Sequence, residues 1–167
     1  MNEPQKIDLN QKYISLEKHY YFEDKYCQPN LTYNDKLKIK ALSDNYCAEL
    51  WSEYVSESKK HLMLINNPDE WKISNEIKNN YNWQKDWNDD NINAFTENIK
   101  PLVDWKDDDT ILFFWSKSFG IETNWDIICK YWISFLYDDE ANIIINPKSK
   151  ETLILTVNGI VSIAERL

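Results

Sequence analysis

Glycine is almost absent from this chain. Only two of the 167 residues are glycines, Gly120 and Gly159, and they lie far apart in the sequence. A Walker A loop needs two glycines before its lysine, and a Rossmann turn needs three close together, because the backbone must approach phosphate closely. Two isolated glycines can build neither loop. The sequence therefore excludes both of these modes of nucleotide binding.

Histidine and cysteine are also scarce. The two histidines, His19 and His61, are far apart and have no metal-ligand spacing, so we expect neither a zinc site nor another bound metal. The three cysteines, Cys27, Cys47 and Cys129, form no C-x-x-C pair and are typical of reduced thiols inside a cell. A Cys/His dyad stays open, because its members need to meet only in space. Cys129 lies on the apolar face of a predicted helix, however, where a thiol is usually inert packing.

Long hydrophobic runs are missing as well. The N-terminus, MNEPQKIDLN, is polar and offers no apolar stretch that could act as a secretory signal. The longest purely apolar run, from Ile111 to Trp115, is far too short to cross a bilayer. We therefore expect a cytoplasmic protein that neither spans nor binds a membrane.

The chain is acidic and rich in aromatic residues. Its net charge is -9 and its pI is about 4.7, which argues against nucleic acid as a partner and favours a basic surface. Hydrophobic residues make up 43% of the chain, with 8 Trp and 10 Tyr, so a folded core is expected despite a mean hydropathy of -0.65. No repeat or linker divides the sequence. We expect a single domain over 1–167, with 1–12 loosely ordered.

The first two thirds of the chain predict mainly helices and loops. Asn34 can cap a short helix through residue 40, and Ser43 can cap a second, amphipathic helix through residue 55. Further helical stretches are predicted at 70–79 and 91–100, within a polar region rich in Asn and Asp.

The last third predicts strands around one apolar helix. TILFFWS (110–116) and ANIIIN are strands, Thr123 and Asp126 form a capping box, and TLILTV with IVSIA is a hairpin with Asn158-Gly159 in a type I′ turn. The fold class is therefore α+β: a mainly antiparallel sheet with a C-terminal strand-helix-strand-strand-strand unit and helices packed on one face. The helix should bury an apolar face at helical spacing: Trp125, Ile128, Cys129, Trp132, Phe135 and Leu136.

Two acidic clusters are candidate functional sites. Asp107, Asp108 and Asp109 precede a predicted strand, and a second group of three carboxylates follows the apolar helix: Asp138, Asp139 and Glu140. Grouped carboxylates can do general acid and base work or bind a hard cation. They can also simply keep a loop solvated or form a binding edge, and the sequence favours this second interpretation. We expect the second cluster to be exposed to solvent.

The segment from Asn80 to Asp109 combines tryptophans with negative charge. It holds three lysines against seven aspartates and one glutamate, a net charge of -5. Trp83 and Trp87, four residues apart, indicate either a short helix that docks on the sheet, which we favour, or an exposed anchor for a basic partner. The candidate partner-binding residues are Trp83, Asp86, Trp87, Asp89, Asp90, Trp105, Asp107, Asp108, Asp109, Asp138, Asp139 and Glu140.

Four stretches resemble a known family. YISLEKHY, IKALSDNYCAELW, NWQKDW and ETNWDIICKYWISFLYDDE are similar to a family of small acidic gammaproteobacterial proteins that is defined only as a domain of unknown function. The resemblance begins near Tyr13 and spans nearly all of the chain. It implies one domain in the bacterial cytosol and carries over no catalytic residue. A looser likeness, of type and not of motif, is to immunity proteins of bacterial toxin systems.

These observations lead to one functional hypothesis and two alternatives. We expect a protein-binding protein without enzymatic activity or cofactor, specifically an immunity protein whose acidic, Trp-containing surface neutralises a secreted toxin with a basic face. The first alternative is a small-ligand or regulatory domain with a pocket between helix and sheet. The second is a hydrolase that uses Asp138, Asp139 or Glu140.

Overall fold

Eight antiparallel strands form one sheet in the computed structural model, which describes residues 11–18, 22, 29–60, 70–74, 78, 80–136 and 141–167. The order across the sheet is β1-β2-β5-β4-β6-β7-β8-β3. The predicted antiparallel α+β fold class is confirmed. Most of the stretch 1–12 lies outside the described residues. The strands are β1 (Tyr13–Ile14), β2 (Lys40–Leu42), β3 (Asn80–Asn82), β4 (Thr110–Ser116), β5 (Phe119–Asn124), β6 (Asn142–Ile145), β7 (Glu151–Leu155) and β8 (Ile160–Glu165).

Four α-helices and three shorter helical turns are described. The α-helices are α1 (Tyr33–Lys36), α2 (Asp44–Tyr54), α3 (Gln84–Asn88) and α4 (Trp125–Phe135). The turns are two 3₁₀ segments, Leu16–Lys18 and Lys100–Leu102, and one π-helical turn, Phe95–Ile99.

The sheet is covered on both faces. Successive side chains of a strand point to opposite faces. Phe113 and Trp115 of β4 pack in one core cluster with α4, whereas Leu112 and Phe114 pack in another with Trp51 of α2. The expectation that helices pack on one face only is therefore wrong. A strand with no polar face, such as TILFFWS, needs cover on both sides.

A strand that the sequence did not indicate precedes α4. β5 pairs with β4 on one side and β2 on the other, so the C-terminal unit begins with two strands before its helix. Gly120 lies in β5, where a Cβ atom would come 2.8 Å from the Phe114 side chain and 2.9 Å from the Phe113 carbonyl oxygen. Glycine at this position therefore permits the close packing of the two strands.

The capping signals had mixed outcomes. Ser43 caps α2 as predicted, since its hydroxyl accepts a hydrogen bond from the Tyr46 amide at 3.3 Å. Thr32, not Asn34, caps α1, which ends at Lys36 so that the chain can enter β2. The capping box of Thr123 and Asp126 is wrong, because Thr123 belongs to β5.

Two other local predictions also change. The helix predicted over 91–100 is present only in its second half, as the π-helical turn Phe95–Ile99 that leads into the 3₁₀ turn at Lys100. The helix predicted over 70–79 is wrong at Ile73, which forms a β-bridge with Arg166, and residues 75–77 and 79 lie outside the described residues. In the β7–β8 hairpin only Gly159 has a positive φ, of 80°, so the turn is not type I′, which needs two such residues.

The apolar face of α4 forms the centre of the larger core. Trp125 and Trp132 are fully buried. The Trp132 ring stacks on Phe95 with centroids 5.3 Å apart, and its indole N–H donates to the Ile92 carbonyl at 3.1 Å. Trp105 packs edge-on against Trp125 at 4.9 Å. The buried seam predicted from helical spacing is therefore present.

Replacing Trp132 with alanine tests this core. Trp132→Ala removes a buried aromatic ring and leaves a cavity, so we expect the free energy of unfolding to fall by about 3 to 5 kcal/mol. Urea denaturation followed by circular dichroism measures the change. Leu37→Ala is the control, because Leu37 is 64% exposed, and it should cost less than about 0.5 kcal/mol. Similar small losses in both variants would contradict the packing described.

Candidate functional site

Residues 80–109, which we call the covering segment, lie along α4. The Trp87 indole N–H donates to the Ile133 carbonyl at 3.3 Å, near the C-terminal end of the helix. At the other end, Trp105 packs against Trp125. The segment therefore runs antiparallel to α4 and spans most of a helix about 16 Å long. The charged residues of the segment are distributed along that length.

The tryptophans of the covering segment face inward. Trp83 and Trp87 are partly buried and pack against the core cluster of α4, which agrees with the docking interpretation favoured above. Trp105 is 5% exposed. The expectation that Trp105 contacts a partner is wrong, because its ring is enclosed in the core. The exposed edges of Trp83 and Trp87 remain available to a partner.

Asp86 holds the covering segment together. Its carboxylate accepts hydrogen bonds from the Tyr81 hydroxyl and, at 2.8 Å, from the Asn91 side-chain amide. Asn98 in turn donates to the Tyr81 hydroxyl at 2.9 Å. Burial, together with the hydrogen bond to Asp86, raises the pKa of Tyr81 to about 12. The oxygens of Asp86 are therefore engaged within the fold and are less available to a partner.

The Asp107–Asp109 cluster forms a turn that caps α4. The first two helical amides, of Trp125 and Asp126, donate to the carbonyls of Asp109 and Asp107, both at 3.1 Å. These bonds satisfy two of the amides that a helix start leaves unpaired. Asp107 also forms an ion pair with Lys100. The backbone of the cluster thus has a structural role that its composition did not reveal.

Asp109 is tied to the turn after β6. Its carboxylate accepts from the Lys106 amide and the Asn146 side-chain amide, both at 3.0 Å, and lies 3.5 Å from the Lys148 ammonium. The hydrogen bond from Lys106 leads the contacts that lower the pKa of Asp109. Like Asp86, Asp109 is engaged within the fold.

Six carboxylates of the covering segment are exposed, and five of them, all except Asp107, form no ion pair with a described residue. We call these five the acidic strip: Asp89, Asp90, Glu97, Asp104 and Asp108. Asp90 adopts a left-handed backbone conformation with φ of 52° in the turn after α3. The predicted cluster Asp138, Asp139 and Glu140 lies outside the described residues, so its exposure stays a prediction.

A partly open cleft of about 340 Å³ lies between α4 and the π-helical turn. Its lining combines apolar, thiol, hydroxyl, amide and charged groups: Pro29, Ile92, Asn93, Thr96, Lys100, Asp126, Cys129 and Lys130. Burial is the main cause that raises the pKa of Cys129 to about 12, so its thiol stays protonated and is a poor nucleophile. Within the described ranges, no three His, Cys, Asp or Glu side chains are grouped so that they could hold a metal ion.

Ion pairs beside the cleft join α1 to α4. Asp35 is 8% exposed and accepts hydrogen bonds from the Lys130 ammonium at 2.6 Å and the Tyr131 hydroxyl at 2.5 Å. Lys38 donates to Asp126 at 3.0 Å. Sequence reasoning missed these contacts. Asp126 and Lys130 are the charged residues of α4. Because they lie four residues apart, they share one face of the helix, and this spacing could have indicated a polar contact there.

The arrangement defines a small α+β domain with an antiparallel sheet, an acidic strip along its main helix and a lysine-lined cleft beside it. Residues 13–164 match the family model described as a protein of unknown function (DUF2947), and the chain belongs to that family. The comparisons with curated proteins and with solved structures gave no match. In the part of the chain that the structure describes, no helix has the length and apolar character needed to span a bilayer.

The link between Asp35 and α4 predicts a pH dependence of stability. Burial raises the pKa of Asp35, but hydrogen bonds from Lys130, Tyr131 and Thr32 outweigh it and lower that pKa from 3.8 to about 2. The ionised carboxylate therefore contributes stability above pH 4, which is lost as the pH falls towards 2. We expect Asp35→Asn to reduce the free energy of unfolding at pH 7 by on the order of 2 kcal/mol.

Urea denaturation of both proteins between pH 7 and pH 2 measures this effect. The difference between the native chain and Asp35→Asn should shrink as the pH falls from about 4 to about 2. Asp108→Asn is the control, because Asp108 is exposed and unpaired among the described residues, and it should change stability by less than about 0.5 kcal/mol. A difference that stays constant over the whole range would show that the charge of Asp35 is not what stabilises the fold.

Proposed function

We propose that this chain is a non-enzymatic protein that binds another protein with a basic face. The observation that carries the proposal is the acidic strip. It presents five carboxylates without ion-pair partners among the described residues, on a segment anchored to α4 by buried aromatic rings. Charges held on a fixed scaffold attract a basic surface over long range and reject acidic surfaces.

Apolar groups near the strip offer contacts that electrostatic attraction alone would not supply. Ile92, between Asp90 and Glu97 in the chain, is 43% exposed, and Trp83 and Trp87 keep part of their surface accessible. Interfaces gain most of their affinity from a few apolar or aromatic anchors that lose water on binding. The strip would set the rate and orientation of encounter, and these side chains would slow dissociation.

The specific partner we propose is a bacterial toxin domain, which makes the chain an immunity protein. Enzymes that act on nucleic acids have basic substrate-binding surfaces, because their substrates carry a phosphate at every nucleotide. An acidic protein that covers such a surface blocks access of the substrate. The support for this partner is the net charge of -9 and the -5 carried by the covering segment.

Kinetic measurements with a physical partner test the proposal. The chain is purified with the product of each adjacent gene, and any complex is studied by biolayer interferometry over a series of salt concentrations. Two pairs of substitutions, Asp89→Asn with Asp90→Asn and Asp104→Asn with Asp108→Asn, should each lower the association rate constant by about three- to tenfold at low salt. Each pair should also flatten the salt dependence of that rate.

The matched control removes two charges from the other side of the sheet. Glu49→Gln with Glu53→Gln changes exposed carboxylates of α2, which packs with the second core cluster. This pair should leave the association rate close to that of the native chain. The proposal is wrong if no adjacent product forms a complex at about 1 µM, or if the control pair slows association as much as the strip variants do.

A further inference from the structure

We propose that the cleft between α4 and the π-helical turn binds a small organic anion, a carboxylate or phosphate monoester joined to a compact apolar group. This site lies beside the acidic strip and does not depend on the proposed protein partner. Its lining combines hydrogen-bond donors with apolar surface, which suits a ligand of this class.

Hydrogen-bond donors dominate the polar lining of the cleft. Asn93, Thr96, Lys100 and Lys130 can all donate, while Asp126 is the carboxylate in the lining and already accepts from Lys38. An ammonium group has three N–H donors. Lys100 pairs with Asp107 and Lys130 with Asp35, so each ammonium keeps donors that a ligand oxygen can use. An anionic ligand can accept hydrogen bonds from these remaining donors, whereas an ammonium ligand has no acceptor to offer them.

The balance of charge around the cleft predicts how such a ligand binds. Three lysines, Lys38, Lys100 and Lys130, are paired with three carboxylates, so the local charge is close to neutral. The hydrogen bonds that Lys100 and Lys130 donate to the carboxylates of Asp107 and Asp35 raise the pKa values of the two lysines, and both stay charged near neutral pH. Affinity must then come from directed hydrogen bonds more than from net charge. We expect its salt dependence to be weak.

The size and the remaining walls limit the ligand. Pro29, Ile92 and Cys129 supply apolar surface. A volume of about 340 Å³ is at the lower end of small-molecule pockets, which suits an oxyanion with one ring or short chain. Anionic groups of either kind would meet the same donors, and the probes used below distinguish carboxylate from phosphate.

The π-helical turn accounts for how the donors reach the cleft. Phe95 and Ile99 are its buried residues, and Phe95 stacks on Trp132 of α4. Thr96 and Lys100, each one residue further along the chain, line the cleft. π-helical turns are rare, and they occur frequently at functional sites. The aromatic packing that fixes the covering segment therefore also places a hydroxyl and an ammonium beside α4.

Titration of the full chain with matched probes tests this inference. Benzoate and phenyl phosphate are added to ¹⁵N-labelled protein at constant ionic strength, with benzamide as the neutral analogue of benzoate. We expect at least one anion to give saturable shifts at Thr96, Cys129 and Lys130, and benzamide to give none. If neither anion saturates by about 10 mM, or if benzamide shifts the same residues equally, the inference is wrong.

Two variants and one control assign the binding to the cleft. Thr96→Val keeps the shape of an exposed side chain but loses its hydroxyl, and Lys100→Met loses an ammonium. Each should weaken binding of the anion, by about tenfold for Lys100→Met. Lys85→Met removes the same charge from an exposed position of α3 and should leave the affinity unchanged. An equal loss in the Lys85 variant would show that the anion responds only to overall charge, and would overturn the assignment.

Discussion

The packing of aromatic rings on α4 is the interaction on which the other features depend. The covering segment carries a net negative charge, but several of its apolar side chains, among them Phe95, Ile99 and Trp105, are buried in the core. Phe95, stacked on Trp132, and Trp105, packed against Trp125, attach it to the helix at two points. Buried aromatic side chains each contribute on the order of 2 kcal/mol. The same contacts close the core and hold against α4 the segment that carries the acidic strip and one wall of the cleft.

Local patterns in the sequence predicted those elements whose cause is local. The spacing of Trp125 and Trp132, the Ser43 cap and the apolar run of β4 all depend on neighbours within a few residues. β5 was missed because its sequence, FGIETN, is half polar and has a glycine at its second position. The need for Gly120 arises from Phe113 and Phe114 on the adjacent strand. The residue pattern along one strand does not show which side chains of the adjacent strand it will contact.

The candidate site was predicted only in part, for the same physical reason. Composition identified the covering segment as acidic and aromatic. The structure agrees at Trp83 and Trp87, which are partly buried, and at Asp108, which is exposed. It could not show that the carboxylate of Asp109 is bonded to Asn146, far along the chain, or that Trp105 is enclosed. Whether a charge is free depends on partners that the fold brings together. The cleft likewise exists only where α4 meets the covering segment.

Two surfaces with opposite chemistry therefore lie beside one helix. The strip presents carboxylates without ion-pair partners among the described residues, and the cleft presents lysine donors whose charges are already balanced. We therefore propose different ligands for them: a basic protein for the strip and a small anion for the cleft. Because buried rings anchor the segment that carries the strip, a partner that binds there would have less chain to order.

Hydrogen–deuterium exchange of the chain, alone and bound to its co-purified partner, tests the central claim most directly. A partner on the acidic strip should slow exchange of amides between residues 86 and 108 and leave those of α2 unchanged. Slower exchange confined to α2, on the other face of the sheet, would contradict the assignment of the acidic strip as the binding surface.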